Sequence, residues 1–184
     1  MQNPIDLHRQ RQALKQMLLT LPLTVGDLAV QFYKARFRAE GWYDASFVKW
    51  QARSPNAKRN KGRAILTSTG RLRRSIRIAK LTQNIVTIGT DVPYARVHNE
   101  GFNGTVHVKA HTRGLYKKKK AGTGKLTKTG KERMKTVSEL QRTTPVGQHN
   151  RKMHMPKRQY MGESQYLNRI ITRKISTEVL KAFK

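Results

Sequence analysis

Apolar residues at Leu7, Ala13, Leu14, Met17, Leu18 and Leu21 recur at close to 3.6-residue spacing and predict a helix over about residues 5–21. Pro22, which has no backbone N–H, predicts its end. Thr24, followed three residues later by Asp27, fits a capping box in which hydroxyl and carboxylate accept from free N–H groups. A second helix then carries Val25, Leu28, Ala29, Phe32, Tyr33 and Phe37 on one face and stops before Gly41. Core packing accounts for both stripes, with a subunit interface as the alternative.

Residues 41–70 lack either period. Trp42, Tyr43, Phe47 and Trp50 are spread ahead of the run SPNAKRNKGR, which predicts a long loop pinned by aromatics. Alternation returns over 75–81 and 85–88, joined by Thr82-Gln83-Asn84, the pattern of a hairpin. Residues 94–101 read as a turn or one helical turn. A third strand is expected over 106–113, with Val106, Val108 and Ala110 facing one way and His107, Lys109, His111 and Arg113 the other. The low-complexity stretch 114–136 has too little apolar content to offset its ordering entropy, and predicts a mobile tip between two extended arms. The return arm is placed within 137–144. From Ser164 to Phe183, Leu167, Ile170, Ile171, Ile175, Val179 and Ala182 share a helical stripe with Lys174 and Glu178, as for a helix lying on a sheet with a partly wet edge.

Charge is the most extreme property of the chain. Lys and Arg total 39 against 10 acids, a formal +29 within 184 residues. That balance argues against an ordinary metabolic enzyme and for an anionic partner. Residues 105–161 alone hold 16 basic side chains against Glu132 and Glu139, a local +14. Cysteine is absent, which removes disulfides, thiolate metal sites and cysteine nucleophiles. No unbroken apolar run nears the length of a bilayer span, and the N-terminus lacks the basic-then-apolar order of a secretory signal, so a soluble intracellular protein without membrane contact is expected.

Candidate chemistry is thin. His107 and His111 would share a helix face, but on a strand they stand about 13 Å apart, too far for one metal ion. His98-Asn99-Glu100 is similar to part of a His-Asn-His nuclease site, yet no second histidine or paired carboxylate accompanies it. The glycines of AGTGKLTKTGK lack phosphate-loop spacing. No catalytic, metal or cofactor residue is therefore assigned. Lys109, Arg113, Lys117, Lys118, Lys119, Lys120, Lys125, Lys128 and Lys131 are the expected contacts to DNA phosphates or to an acidic protein. With Tyr116 the one aromatic among them, base reading is not expected.

Several segments in order resemble the Mu-like phage virion morphogenesis proteins, which include neck and tail-completion proteins of tailed phages. They are the aromatic helix end and Gly-Trp within 32–50, LTSTGRLRRSI over 66–76, VTIGT over 86–90, YARVHNEG over 94–101, and MPKRQYMGES over 155–164. The resemblance marks Gly70, Leu72, Ser75, Tyr94, His98, Gly101, Pro156, Arg158, Tyr160 and Gly162 as family-motif residues. It implies that Gly70 to Ile76 opens the first strand, that Tyr94 to Gly101 sits in the turn after the hairpin, and that Gly70, Gly101 and Gly162 are turn positions. The long lysine-rich insertion and Lys157, where a small residue is usual, depart from the pattern.

The implied fold is α+β: a small antiparallel sheet packed by N- and C-terminal helices, one domain over 1–184, with a basic extended insertion, a β-arm or loop, over 105–154. The implied role is non-catalytic. Copies form a ring of about six or twelve at the head–tail junction of a virion, after assembly in the host cytoplasm. The partners are a portal or connector adaptor, a tail terminator or tail tube protein, and packaged DNA in the lumen. A ring about 40 Å thick encloses about 24 DNA phosphates, at one charge per roughly 1.7 Å. Six insertions would bring more than threefold that charge, so many should face acidic protein surfaces. The rival reading is a nonspecific nucleic-acid-binding protein; a metal-dependent nuclease ranks third.

Overall fold

The computed structural model describes residues 7–54 and 62–183. The chain divides into two compact units, Met1–Phe102 with His154–Lys184, and Asn103–Met153. Most of the run SPNAKRNKGR lies outside the described residues.

In the first unit one helix, α1 (Leu7–Ala39), replaces the two expected helices and carries Pro22 inside it. Pro22 removes one backbone bond, and α1 offsets that by packing along α4 (Gln165–Ala182) and over β3 (Arg77–Leu81) and β4 (Val86–Gly89). Thr24 caps nothing: its hydroxyl donates to the Thr20 carbonyl at 3.2 Å, a bond made within a running helix. The apolar stripe holds, with Gly26, Ala29, Phe32 and Phe37 buried at helical spacing. By length and composition alone α1 is also apolar enough to cross a membrane, although it holds no unbroken apolar run of that length. Polar residues interleaved along α1 conceal its mean hydropathy from a search for such runs, and a core helix meets the same test.

Glu40, with φ 51°, ends α1 and turns the chain into a hairpin of β1 (Gly41–Tyr43) and β2 (Phe47–Lys49), where a loop was expected. Trp42 and Trp50 are buried, while Phe47 stays exposed. The segment opening at Gly70 is a short helix, α2 (Arg71–Ser75), rather than the start of a strand. Its Leu72 is buried, and Ser75 Oγ lies 2.6 Å from Thr90 Oγ1. Strand β3 begins at Arg77 and pairs antiparallel with β4, with a bulge between Ile78 and Lys80. The 94–101 segment forms α3 (Ala95–Glu100).

Helix α4 starts at Ser164, whose Oγ accepts from Leu167 N–H at 3.1 Å and donates to the Tyr43 carbonyl at 2.7 Å. It lies chiefly on α1 rather than on a sheet, and Lys174 bonds Glu178 at 2.8 Å on the half-buried edge. Two core clusters result. One joins Phe37, Trp50, Ile65, Leu72, Ile76, Val92, Ala95 and Tyr160; the other joins Ala29, Phe32, Trp42 and Leu167.

The second unit is all strand. The expected strand over 106–113 is broken at Lys109 and Ala110 into β5 (Phe102–Val108) and β6 (His111–Leu126). Strand β5 pairs with β8 (His149–Met155), and β6 pairs antiparallel with β7 (Glu132–Val146). The ladder runs from His111↔Val146 to Leu126↔Glu132, so the stretch expected to be a mobile tip is mostly paired strand. The turn shrinks to residues 127–131, closed by Thr127 N–H on the Lys131 carbonyl at 2.7 Å. Backbone pairing makes this ladder. Both its faces are largely exposed, with apolar residues such as Tyr116, Val137 and Leu140 scattered among polar ones, so no regular hydrophobic alternation announces it.

The class is thus α+β, with small antiparallel sheets and helices at both ends of the chain.

Candidate functional site

Six of the ten motif residues, scattered over nearly ninety positions, line one groove of about 730 Å³ in the first unit: Gly70, Leu72, Tyr94, His98, Pro156 and Arg158. Local structure explains the convergence. Gly70, with φ 71°, starts α2 and sets Leu72 inward as part of the floor. Helix α3 presents His98, and its Asn99 Oδ1 accepts from the N–H groups of Tyr160 at 2.9 Å and Met161 at 3.0 Å. Arg158 N–H donates to the His98 carbonyl at 2.8 Å, and Tyr160 Oη–H to the Ala95 carbonyl at 2.9 Å. Four bonds therefore clamp residues 158–161 onto α3.

Burial lifts Tyr160 to a pKa of about 12. Gly101 has φ 82° and ψ 170°, a conformation reserved for glycine, and a Cβ there would sit 3.0 Å from Lys157 N. Gly162 turns the chain toward α4, and its carbonyl accepts from Tyr33 Oη–H at 2.9 Å. Ser75, Gly101, Tyr160 and Gly162 thus hold the frame around the groove without lining it.

The groove is cationic. Arg53, Arg71 and Arg158 line it beside the rings of His98 and His154, and no carboxylate among the described residues does; the chain has no acid at all between Asp44 and Asp91. Arg158 is 7% exposed, and its Nε donates to the Gln51 carbonyl at 3.0 Å and its Nη2 to Ala52 at 3.4 Å. Burial, then the nearby Arg53 charge, lowers the Arg158 pKa. Burial, then Arg158, lowers that of His98. His98 Nδ1 is the one buried side-chain polar atom without a hydrogen-bond partner among the described residues. Composition signalled none of this: the partner of Arg158 is backbone carbonyl, which sequence does not display.

The nuclease-like triplet serves other ends. Asn99 braces backbone, and Glu100 pairs with Arg96 at 2.8 Å on the surface. His107 Nδ1 meets Asn150 Oδ1 at 3.0 Å, and His111 Nδ1 meets the Lys109 carbonyl at 3.0 Å. Among the described residues no three His, Cys, Asp or Glu side chains gather as a metal site would require.

The basic residues expected to touch an anionic partner sit elsewhere, in the second unit. Arg113, Lys117, Lys118, Lys119, Lys120 and Lys125 are on β6, Lys128 and Lys131 in its turn, and Lys109 between β5 and β6; all are exposed. Strand alternation divides the four consecutive lysines. Lys117 and Lys119 share a face with Glu139, which Lys119 pairs at 2.7 Å, while Lys118 and Lys120 stand opposite Ser138 and Thr136. Tyr116 and Leu140 lie across from each other on that second face, both exposed.

No curated protein and no solved structure matches the chain. The profile of the phage virion morphogenesis family matches residues 12–179, a span that takes in most of both terminal helices, the motif-lined groove and the basic hairpin. The chain belongs to that family, and is a virion-associated morphogenesis protein of a bacteriophage.

Proposed function

We propose that this protein completes the neck of a tailed phage, forming a homo-oligomeric ring that joins the DNA-filled head to the tail, and that it acts structurally rather than catalytically. The family match along nearly the whole chain carries this reading. Two features of the molecule support it. Leu7, Leu18, Leu19 and Leu23 on α1 and Leu180 on α4 are exposed, apolar area of the kind that copies of a ring subunit bury. The β6–β7 hairpin is cationic on both faces, and a two-stranded ribbon is marginal alone, so it gains from an anionic surface to lie on. DNA in the lumen takes part of that charge; acidic portal, adaptor or tail proteins take the rest.

Reconstruction of purified particles, focused on the neck, tests the location. Density for this fold is expected between portal and tail, and its absence there overturns the reading. Replacing residues 118–138 with a tight turn between the paired Lys117 and Glu139 tests the hairpin. Unjoined heads and tails are expected, and normal infectious particles would remove the hairpin from assembly. The nucleic-acid rival predicts instead tight binding to any duplex that weakens steeply with salt.

A further inference from the structure

The geometry points to the groove in the first unit as a receptor for an acidic residue of a partner protein: a short peptide segment whose Asp or Glu carboxylate enters beside Arg158 while a neighbouring apolar side chain lies on Leu72 and Ile65. This goes beyond a place in the neck, since it concerns what the groove binds wherever the protein resides.

The charge balance in the groove is unfinished. Arg158 is buried, yet it bonds only two neutral backbone carbonyls, and no carboxylate among the described residues pairs with it. A guanidinium carries five N–H donors in a fixed fork, suited to bidentate carboxylate. A buried cation is costly unless an anion compensates it. Here the charge neighbouring Arg158 is Arg53, of the same sign, and burial together with the Arg158 charge disfavours protonation of His98. His98, which lines the same groove, carries at Nδ1 the one buried side-chain polar atom without a partner among the described residues. No lining residue of the groove is an acid, residues 45–90 hold none, and the Glu40 carboxylate is engaged by the Ile65 N–H rather than by Arg158.

The shape selects the class of partner. The lining mixes these cations with Ile65, Leu66, Leu72, Met155 and Pro156. A peptide side chain is thin enough to reach a buried guanidinium and brings apolar neighbours for that floor. A duplex presents its phosphates on a convex rod with no apolar group to match.

The test uses the full chain with the His98 ring followed by heteronuclear NMR. The probe is a short acetylated, amidated peptide alternating glutamate and leucine. It is expected to shift the His98 resonances saturably and to raise the His98 titration midpoint. The same peptide with glutamine in place of glutamate should bind at least about 30-fold more weakly, the effect of removing one partner of a desolvated charge pair. Arg158→Gln should abolish the shift. Should that variant fail to fold, Arg71→Gln on the exposed rim decides, with binding weakened several-fold. Lys118→Gln with Lys120→Gln, on the hairpin, should leave the His98 response unchanged. The inference is overturned if His98 does not respond, if the glutamine peptide binds equally well, or if a short DNA duplex moves His98 and the acidic peptide does not. Because the measurement is made on the isolated chain, it stands or falls separately from the location of the protein in the particle.

Discussion

Asn99→Ala isolates the bond that holds the motif segments together. One side-chain oxygen, Asn99 Oδ1, accepts from two backbone N–H groups, those of Tyr160 and Met161. Both donors are half-buried or better, and the two together fix which amide atom is oxygen. Alanine leaves both N–H groups without their acceptor. An unsatisfied buried donor costs about 1–3 kcal/mol, and partial access to water for one of them brings the expected total to about 2–4 kcal/mol. Against the roughly 5–15 kcal/mol of a typical domain, this is a large loss. Asn99→Asp keeps an acceptor at the same position and should cost under about 1 kcal/mol. Urea unfolding followed by tryptophan fluorescence reads the right unit, since Trp42 and Trp50 both lie in it and Trp50 Nε1 donates to the Gln159 carbonyl at 2.7 Å, next to the segment in question. The midpoint should fall with the slope unchanged. If alanine is within about 0.5 kcal/mol of the parent, the usual range of neutral substitutions, or if aspartate is as damaging as alanine, the clamp is not what orders residues 158–161.

Two further substitutions probe the same frame. Gly101→Ala combines a glycine-only backbone conformation with a Cβ only 3.0 Å from Lys157 N and 3.1 Å from the Met155 carbonyl, and should cost upward of about 2 kcal/mol. Gly62→Ala, also at positive φ but with nothing within 4 Å among the described residues, should cost about 1 kcal/mol; equal losses in the same urea assay would show that contact plays no part. The third concerns pH. His98 has its pKa lowered in the fold from 6.5, so below that value the unfolded chain binds a proton that the folded one resists. Stability should fall as pH drops below 6.5 toward the folded pKa, with a slope of at most about 1.4 kcal/mol per unit from this group. His98→Gln should flatten that part of the profile, and an unchanged acid limb would refute the assignment.

The helices were legible because each buries one stripe: the positions from Leu167 to Ala182 read off the sequence are those that α4 turns inward. The β3–β4 hairpin was legible for the matching reason at period two. The misses share a cause. Pro22 ends a helix by local rules, and only packing along α1, invisible to a local window, overrides them. The β6–β7 ladder has no buried face, so the one signal that sequence offers for a strand was missing. The groove lay further out of reach. Its residues were named through a resemblance, but that Gly70, His98 and Arg158 line one recess depends on how Asn99 clamps residues 158–161 to α3, a contact across some sixty positions.

Charge arithmetic ties the two cationic regions together while separating their physics. With 39 basic residues and 10 acids, pairing every acid within the chain would still leave 29 cations, so neutralisation must come from outside. The hairpin lysines are exposed, and even the Lys119–Glu139 pair is half open to water, so each contact they make is weak and screened beyond about 8–10 Å at physiological salt. They suit a broad, adjustable attraction that gathers an acidic surface without specifying its contour. Arg158 differs in kind: buried, fixed by two carbonyls and shielded from salt, it rewards one well-placed carboxylate far more than a diffuse field. An assembly that must first attract its neighbours and then accept only the correct one needs both behaviours. In this chain they fall in different units, the diffuse charge in the all-strand insertion and the buried charge in the helix-and-hairpin body.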